Sequence, residues 1–121
     1  MKNIGQGSIK IDFESSDNSS EFIVLRGFLE VVGGLDTIGV YSEKPIIIEN
    51  LNEGETYFLS VVAKNSLGNS EPTEMLGIVP SNNDVNVLIV NGFDRVSGTN
   101  NTFDFIRQHG SAFNNHGQAF D

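Results

Sequence analysis

Residues 9–14 read Ile-Lys-Ile-Asp-Phe-Glu, a strict alternation that sets Ile9, Ile11 and Phe13 on one face of a strand and charged side chains on the other. Residues 15–20, SSDNSS, are side chains that bond to their own backbone and favour turns, so the strand ends there. A second strand is expected at 22–26. Residues 27–36 read equally as a strand or as an irregular run before the Gly33-Gly34 turn. Residues 37–41 and 45–49 are rich in β-branched side chains; Pro45 opens the second, a position that needs no ladder donor. Residues 57–63 are the strongest strand, with Tyr57, Leu59, Val61 and Ala63 on one side. Phe58 and Val62 lie on the other, so both faces are expected to be partly covered. A turn at 65–69 and a last strand at 73–79 complete the series before Pro80. Six or seven short strands with no helical period predict an all-β antiparallel sandwich over residues 1–80.

The grammar changes after the polar linker 81–84. Residues 85–90, Val-Asn-Val-Leu-Ile-Val, form a nearly continuous apolar run, the pattern of a strand covered on both faces in a parallel sheet. A polar loop at 91–101 leads to a helical pattern in which Phe105 or Ile106, His109 and Ala112 or Phe113 recur at three- and four-residue spacing. Asn101 is the expected N-cap, Asp104 lies in the first turn, and Gly117 is the expected C-cap. Residues 118–121 would open a further strand. Residues 85–121 thus read as a partial α/β segment of strand, loop and helix. Some forty residues cannot bury a core alone, so this tail docks on the sandwich, exchanges onto a neighbouring molecule or stays mobile.

Charge narrows the partners. The chain of 121 residues carries a formal net charge of −9, with 7 Lys+Arg against 16 Asp+Glu, which argues against nucleic acid. It has no cysteine, hence neither a disulfide framework nor a thiolate metal site. No run approaches the ~20 apolar residues of a membrane span, and residues 1–10 lack the apolar core of a signal peptide.

No motif calls for a cofactor or a metal. Asp12, Glu14, Asp17, Glu21, Glu53 and Glu55 lack the close spacing of a calcium loop. His109 and His116 stand two helical turns apart, not at the i, i+4 spacing that metal pairs use. No catalytic residue is assigned in residues 1–80.

Residues 51–57, Leu-Asn-Glu-Gly-Glu-Thr-Tyr, resemble the L-x-x-G-x-x-Y signature of fibronectin type III domains, an immunoglobulin-like β-sandwich family. The resemblance implies that Leu51 is core, Gly54 turns the chain and Tyr57 makes a corner in which a buried phenol bonds upstream backbone. Residues 63–72, with Ala63, Asn65 and Gly68, resemble the family's A-x-N-x-x-G-x-S-x-P across its last hairpin. Phe13 stands where the family usually has tryptophan. The family's first strand should precede Ile9, where only residues 1–7 remain and Gly5 and Gly7 read as turn. A sandwich lacking its first strand is therefore expected, and residues 85–90 are the segment best suited to pair at the uncovered edge, within the chain or across a strand-exchanged homodimer.

Residues 87–95 resemble the start of the α/β domain that follows such sandwiches in bacterial xanthan lyase-like or amidase-like surface proteins. Asn91, Asp94 and Arg95 would then lie just past the carboxyl end of a parallel strand, where open α/β sheets bind ligands. Asp94 would act as base or anchor and Arg95 would clamp an anionic group such as a uronic-acid carboxylate; the alternative is a structural turn with an Asp-Arg pair.

The resemblances imply a non-catalytic interaction or spacer module of a multidomain secreted or cell-surface bacterial protein that acts on polysaccharide or cell wall. Its partners would be neighbouring domains and polysaccharide. The alternative is a part of the catalytic unit of a polysaccharide lyase or hydrolase.

Overall fold

Two antiparallel sheets face each other in a computed structural model of the chain, which describes residues 1–15, 18–28, 31–83, 85, 87–90 and 105–121. The first sheet holds β1 (Lys2–Gly5), β2 (Ser8–Ile11) and β5 (Ile46–Ile48) in the order β1-β2-β5. The second holds β3 (Glu21–Phe28), β4 (Val31–Tyr41), β6 (Tyr57–Asn65), β7 (Gly68–Asn69) and β8 (Leu76–Ile78). Its order is β4-β3-β6-β7, with β8 also paired to β6. The chain is an all-β sandwich with one short C-terminal helix, α1 (Phe105–Asn115).

The alternating positions supply the core. Ile9 and Ile11 of β2, Ile46 and Ile48 of β5, Phe22 and Val24 of β3, Tyr57, Leu59 and Val61 of β6, and Ile78 of β8 are buried together between the sheets. Phe13 closes one end of this core, its ring edge-on to Phe22 with centroids 5.0 Å apart.

A strand does precede Ile9, which corrects the expectation of a missing first strand. Residues 2–5 pair antiparallel with β2, Lys2 opposite Lys10 and Asn3 opposite Ile9, and the expected turn is confined to residues 5–7. The edge that residues 85–90 were expected to fill is thus occupied by β1.

The expected last strand, residues 73–79, is shortened to β8, which pairs with residues 57–59; the expected turn at 65–69 carries the two-residue β7, which pairs with Lys64 and Asn65, and Pro72, which has no N–H, stands between the two strands. Two hydroxyls mend the gap in the ladder. Ser70 Oγ accepts the Ala63 N–H at 3.0 Å and Thr73 Oγ1 accepts the Val61 N–H at 2.9 Å, while the Ser70 and Thr73 N–H groups donate to the Ala63 and Val61 carbonyls.

The tail docks on the outer face of the second sheet. Phe58 is buried there on the side of β6 that faces away from the core. A Cβ built on Gly77 would meet Ile106, Phe120 and Phe58, each at 3.2 Å, so these three side chains converge on that glycine. Phe120 is fully buried, and its carbonyl accepts the Val79 N–H at 3.0 Å. Val87 makes a parallel bridge to Phe120, with Asp121 N–H donating to the Val87 carbonyl and Ile89 N–H to that of Asp121, both at 3.1 Å. In place of the two expected strands, the described residues hold a single isolated bridge, Val87 to Phe120, on either side of the helix α1.

The buried face of α1 differs from the expected one. Ile106 and Gly110 are buried, whereas His109, Ala112 and Phe113 are exposed. The cause is close approach. A Cβ on Gly110 would lie 2.7 Å from Phe120 Cζ, so the absent side chain turns this stripe, not the His109 stripe, toward the sheet. The helix ends in a Schellman motif, as Gly117 predicts: Gln118 N–H donates to the Phe113 carbonyl at 3.0 Å and Gly117 N–H to that of Asn114 at 2.9 Å, with Gly117 at φ 68°. Asn101 and Asp104, the expected N-cap and first-turn acid, lie outside the described residues.

Candidate functional site

Each of the sandwich's two sequence motifs resolves into backbone bonds. In the first, the Tyr57 hydroxyl accepts the Asn52 N–H at 3.0 Å and donates to Glu55 Oε2 at 3.1 Å. Asn52 Nδ2 donates to the same carboxylate oxygen at 2.8 Å. The Arg26 guanidinium pairs with Glu55 Oε1 and lies over the Tyr57 ring, 4.3 Å from its centroid. Leu51 is half-buried against the core and Gly54 takes a φ of 74° in the turn between them.

The electrostatics of this cluster suit it to hold the fold together. The Asn52 side-chain hydrogen bond, followed by that of Arg26, keeps the Glu55 carboxyl below the usual carboxylate range. Burial pushes the Tyr57 phenol up, aided by its hydrogen bond to Glu55. An acid held ionised and a phenol held protonated have no proton to exchange near neutrality.

In the second motif, Asn65 Oδ1 accepts the Leu67 N–H at 2.8 Å, an Asx turn, and Gly68 takes a φ of 139°. The concave side of this turn is a shallow cavity of about 250 Å³ lined in part by Ser19, Lys64, Asn65 and Asn69. Two of its lining side chains are engaged, Lys64 with Glu21 at 2.8 Å and Ser70 with Ala63 and Glu71. A second cavity of about 140 Å³ opens at the sandwich edge between Met1, Phe13, Leu76 and Glu74. Thr73, on its rim, spends its hydroxyl on Val61 and Glu74 backbone.

A third cluster, which carries no sequence signal, joins the ends of the chain. Asn3 Nδ2 donates to the Val79 carbonyl at 2.7 Å, Asn3 Oδ1 accepts the Ser81 N–H at 3.0 Å, and the Asn3 N–H donates to Asp121 Oδ1 at 2.8 Å. Beside it, Gln6 N–H donates to Asn82 Oδ1 at 2.5 Å. Linker residues 81 and 82 are therefore bonded to the sandwich at two points.

Asn91, Asp94 and Arg95, the candidate ligand-binding residues, lie outside the described residues. His109 and His116 are both exposed, and among the described residues no three His, Cys, Asp or Glu side chains gather closely enough to hold a metal ion. No described helix is long and apolar enough to cross a membrane.

No protein-family model matches the chain, and no curated protein matches it. The class that the fold defines is the antiparallel β-sandwich, here extended by a tail whose described part docks one short helix and a single bridge between Val87 and Phe120.

Proposed function

We propose that the chain is a non-catalytic positioning module, a β-sandwich that holds the segment after it in a set orientation. One observation supports this reading above the rest: Asn3 of β1 bonds Val79, Ser81 and Asp121 together, so the linker and the end of the tail are tied to the same strand of the sandwich. A pure tether would leave such a linker solvated and free of bonds. The two fibronectin type III-like motifs favour the same reading, since both serve backbone geometry. On their resemblance we place the module in a secreted or cell-surface bacterial protein that handles polysaccharide or cell wall, with neighbouring domains as its first partners.

The test is calorimetric. Titration of residues 1–121 with xanthan and with cell-wall glycan fragments is expected to give no binding heat, and thermal unfolding is expected to show a single transition that includes the tail. Binding that disappears when the chain is shortened to residues 1–80 would overturn the module reading in favour of a ligand site in the tail.

A further inference from the structure

Sulfur is scarce in the chain. It has no cysteine and two methionines, Met1 and Met75, so two thioethers are all the sulfur that an oxidant can meet. Met1 is half-buried against the core between the sheets. Met75 stands elsewhere, at the joint between sandwich and tail.

Met75 directly precedes β8, which pairs with β6, yet its side chain crosses β6 to reach Gly27 on β3. A Cβ built on Gly27 would lie 2.6 Å from Met75 Cε and 2.9 Å from its sulfur, so the end of the thioether fills the slot that the missing side chain leaves. An unbranched, flexible side chain suits an irregular gap of this kind. The tail arrives from the other side. Arg107 of α1 donates from Nη2 to Met75 Sδ at 3.5 Å, and the same nitrogen would stand 3.3 Å from the Cβ built on Gly27. Strand β3, the thioether and the guanidinium are therefore in contact around one slot, one residue along α1 from the buried Ile106. Met75 itself is half-buried, within reach of a molecule as small as hydrogen peroxide.

We propose that Met75 is an oxidation site that governs the docking of the tail, with hydrogen peroxide or another two-electron, oxygen-donating oxidant as its reactant. The sulfur lone pair attacks one peroxide oxygen and the O–O bond breaks. Sulfur keeps that oxygen and is oxidised by two electrons, and the other oxygen leaves as water. The product is a sulfoxide, polar and chiral where the thioether was apolar. Its oxygen has two directions to take, and both are occupied. Toward Gly27 it meets the main chain of β3, which is held between β4 and β6. Toward Arg107 it enters the space of a guanidinium already in contact with the sulfur. β3 cannot retreat without breaking two ladders, so α1 is the part that gives way. This inference rests on the positioning reading, since what the oxidation regulates is the docked tail.

The Val79 N–H donates to the Phe120 carbonyl at 3.0 Å, so its exchange with solvent reports docking directly. The experiment treats the full 121-residue chain with hydrogen peroxide, locates the added oxygen by peptide mass spectrometry and follows amide exchange before and after. The expected result is sulfoxide at Met75, exchange at Val79 and Gly110 quickened at least ~10-fold, and no change at Val24 in the core. Methionine sulfoxide reductase, with dithiothreitol as electron donor, is expected to restore slow exchange. Met75→Leu, a swap that nearly conserves volume, is expected to keep the tail docked and to remove the response while Met1 stays oxidisable. Slow exchange at Val79 in the oxidised chain overturns the proposal and leaves the positioning reading standing, as does a Met75 that peroxide leaves unmodified. A response that persists in Met75→Leu overturns it by assigning the effect to Met1. Fast exchange at Val79 before any oxidant is added removes the docked tail itself, and both readings fall.

Discussion

The main-chain N–H of Asn3 donates to the carboxylate of Asp121 at 2.8 Å, a bond that closes 118 positions of sequence into one ring. The carboxamide of the same asparagine holds the Val79 carbonyl and the Ser81 N–H. Asn3→Ala deletes those two side-chain bonds and keeps the main-chain donor. Each is a neutral, part-buried hydrogen bond, so a loss of about 1–2 kcal/mol in unfolding free energy is expected. The loss should be local as well as global. Amide exchange should quicken at Ser81 and Asp121 while Val24 and Val61, deep in the core, keep their relative protection.

Gly110 sets two physical effects against each other. Helix propensity alone favours alanine there by about 1 kcal/mol. Packing opposes it, because the new Cβ would stand 2.7 Å from Phe120 Cζ, and Phe120 is fully buried between helix and sheet. Overpacking of this kind typically costs about 1–3 kcal/mol, so Gly110→Ala is expected to destabilise on balance. Shortening the ring should reverse the sign. In a Phe120→Leu background, Gly110→Ala is expected to be neutral or stabilising, and a denaturant-based double-mutant cycle reads the difference.

Gly110 also shows why part of the architecture was legible and part was not. Core positions such as Ile9, Ile11, Leu59 and Val61 announce themselves because a strand's period of two is written directly in the chain. The buried stripe of α1 is written instead in an absence, a missing Cβ whose value depends on Phe120 ten residues later. The first strand escaped for a related reason. Residues 2–5 have no apolar alternation: the half-buried positions are Asn3, which meets Ile9 and Asp121, and Gly5, opposite Ser8, while the apolar Ile4 is exposed. The Ser70 and Thr73 hydroxyls that bridge the broken ladder likewise look like ordinary turn residues until their β6 partners are known. The candidates Asn91, Asp94 and Arg95 rest on sequence alone.

Ser60 predicts a gain. It faces away from the core on β6, opposite Leu25, is buried, and its hydroxyl has no hydrogen-bond partner among the described residues. Its neighbours Phe58 and Val62 on that face are apolar and buried. An unsatisfied buried hydroxyl carries a desolvation cost that no bond offsets. Ser60→Ala is therefore expected to raise the unfolding free energy by up to about 1 kcal/mol, a change of sign opposite to most core substitutions and measurable as a higher denaturant midpoint.

Glu55 gives the chain an acid-sensitive joint. Its carboxyl is held below the ordinary range by Asn52 and Arg26, so its proton binds more weakly in the folded chain than in the unfolded one. A depressed folded value means that the group's contribution is fully present above the unfolded pKa, about 4.3, and is lost as pH falls through the lower folded value. Glu55→Gln removes the charge while keeping an oxygen that accepts from Asn52 or Tyr57. The stability difference between the parent chain and Glu55→Gln is thus expected to be constant at neutral pH and to shrink between about pH 5 and about pH 3. Side-chain exposure of 39% at Glu55 limits its size, because solvent screens the pair with Arg26. Urea unfolding at a series of pH values checks both the sign and the window, and a difference that grows on acidification would show that the carboxylate is not what Arg26 and Asn52 hold in place.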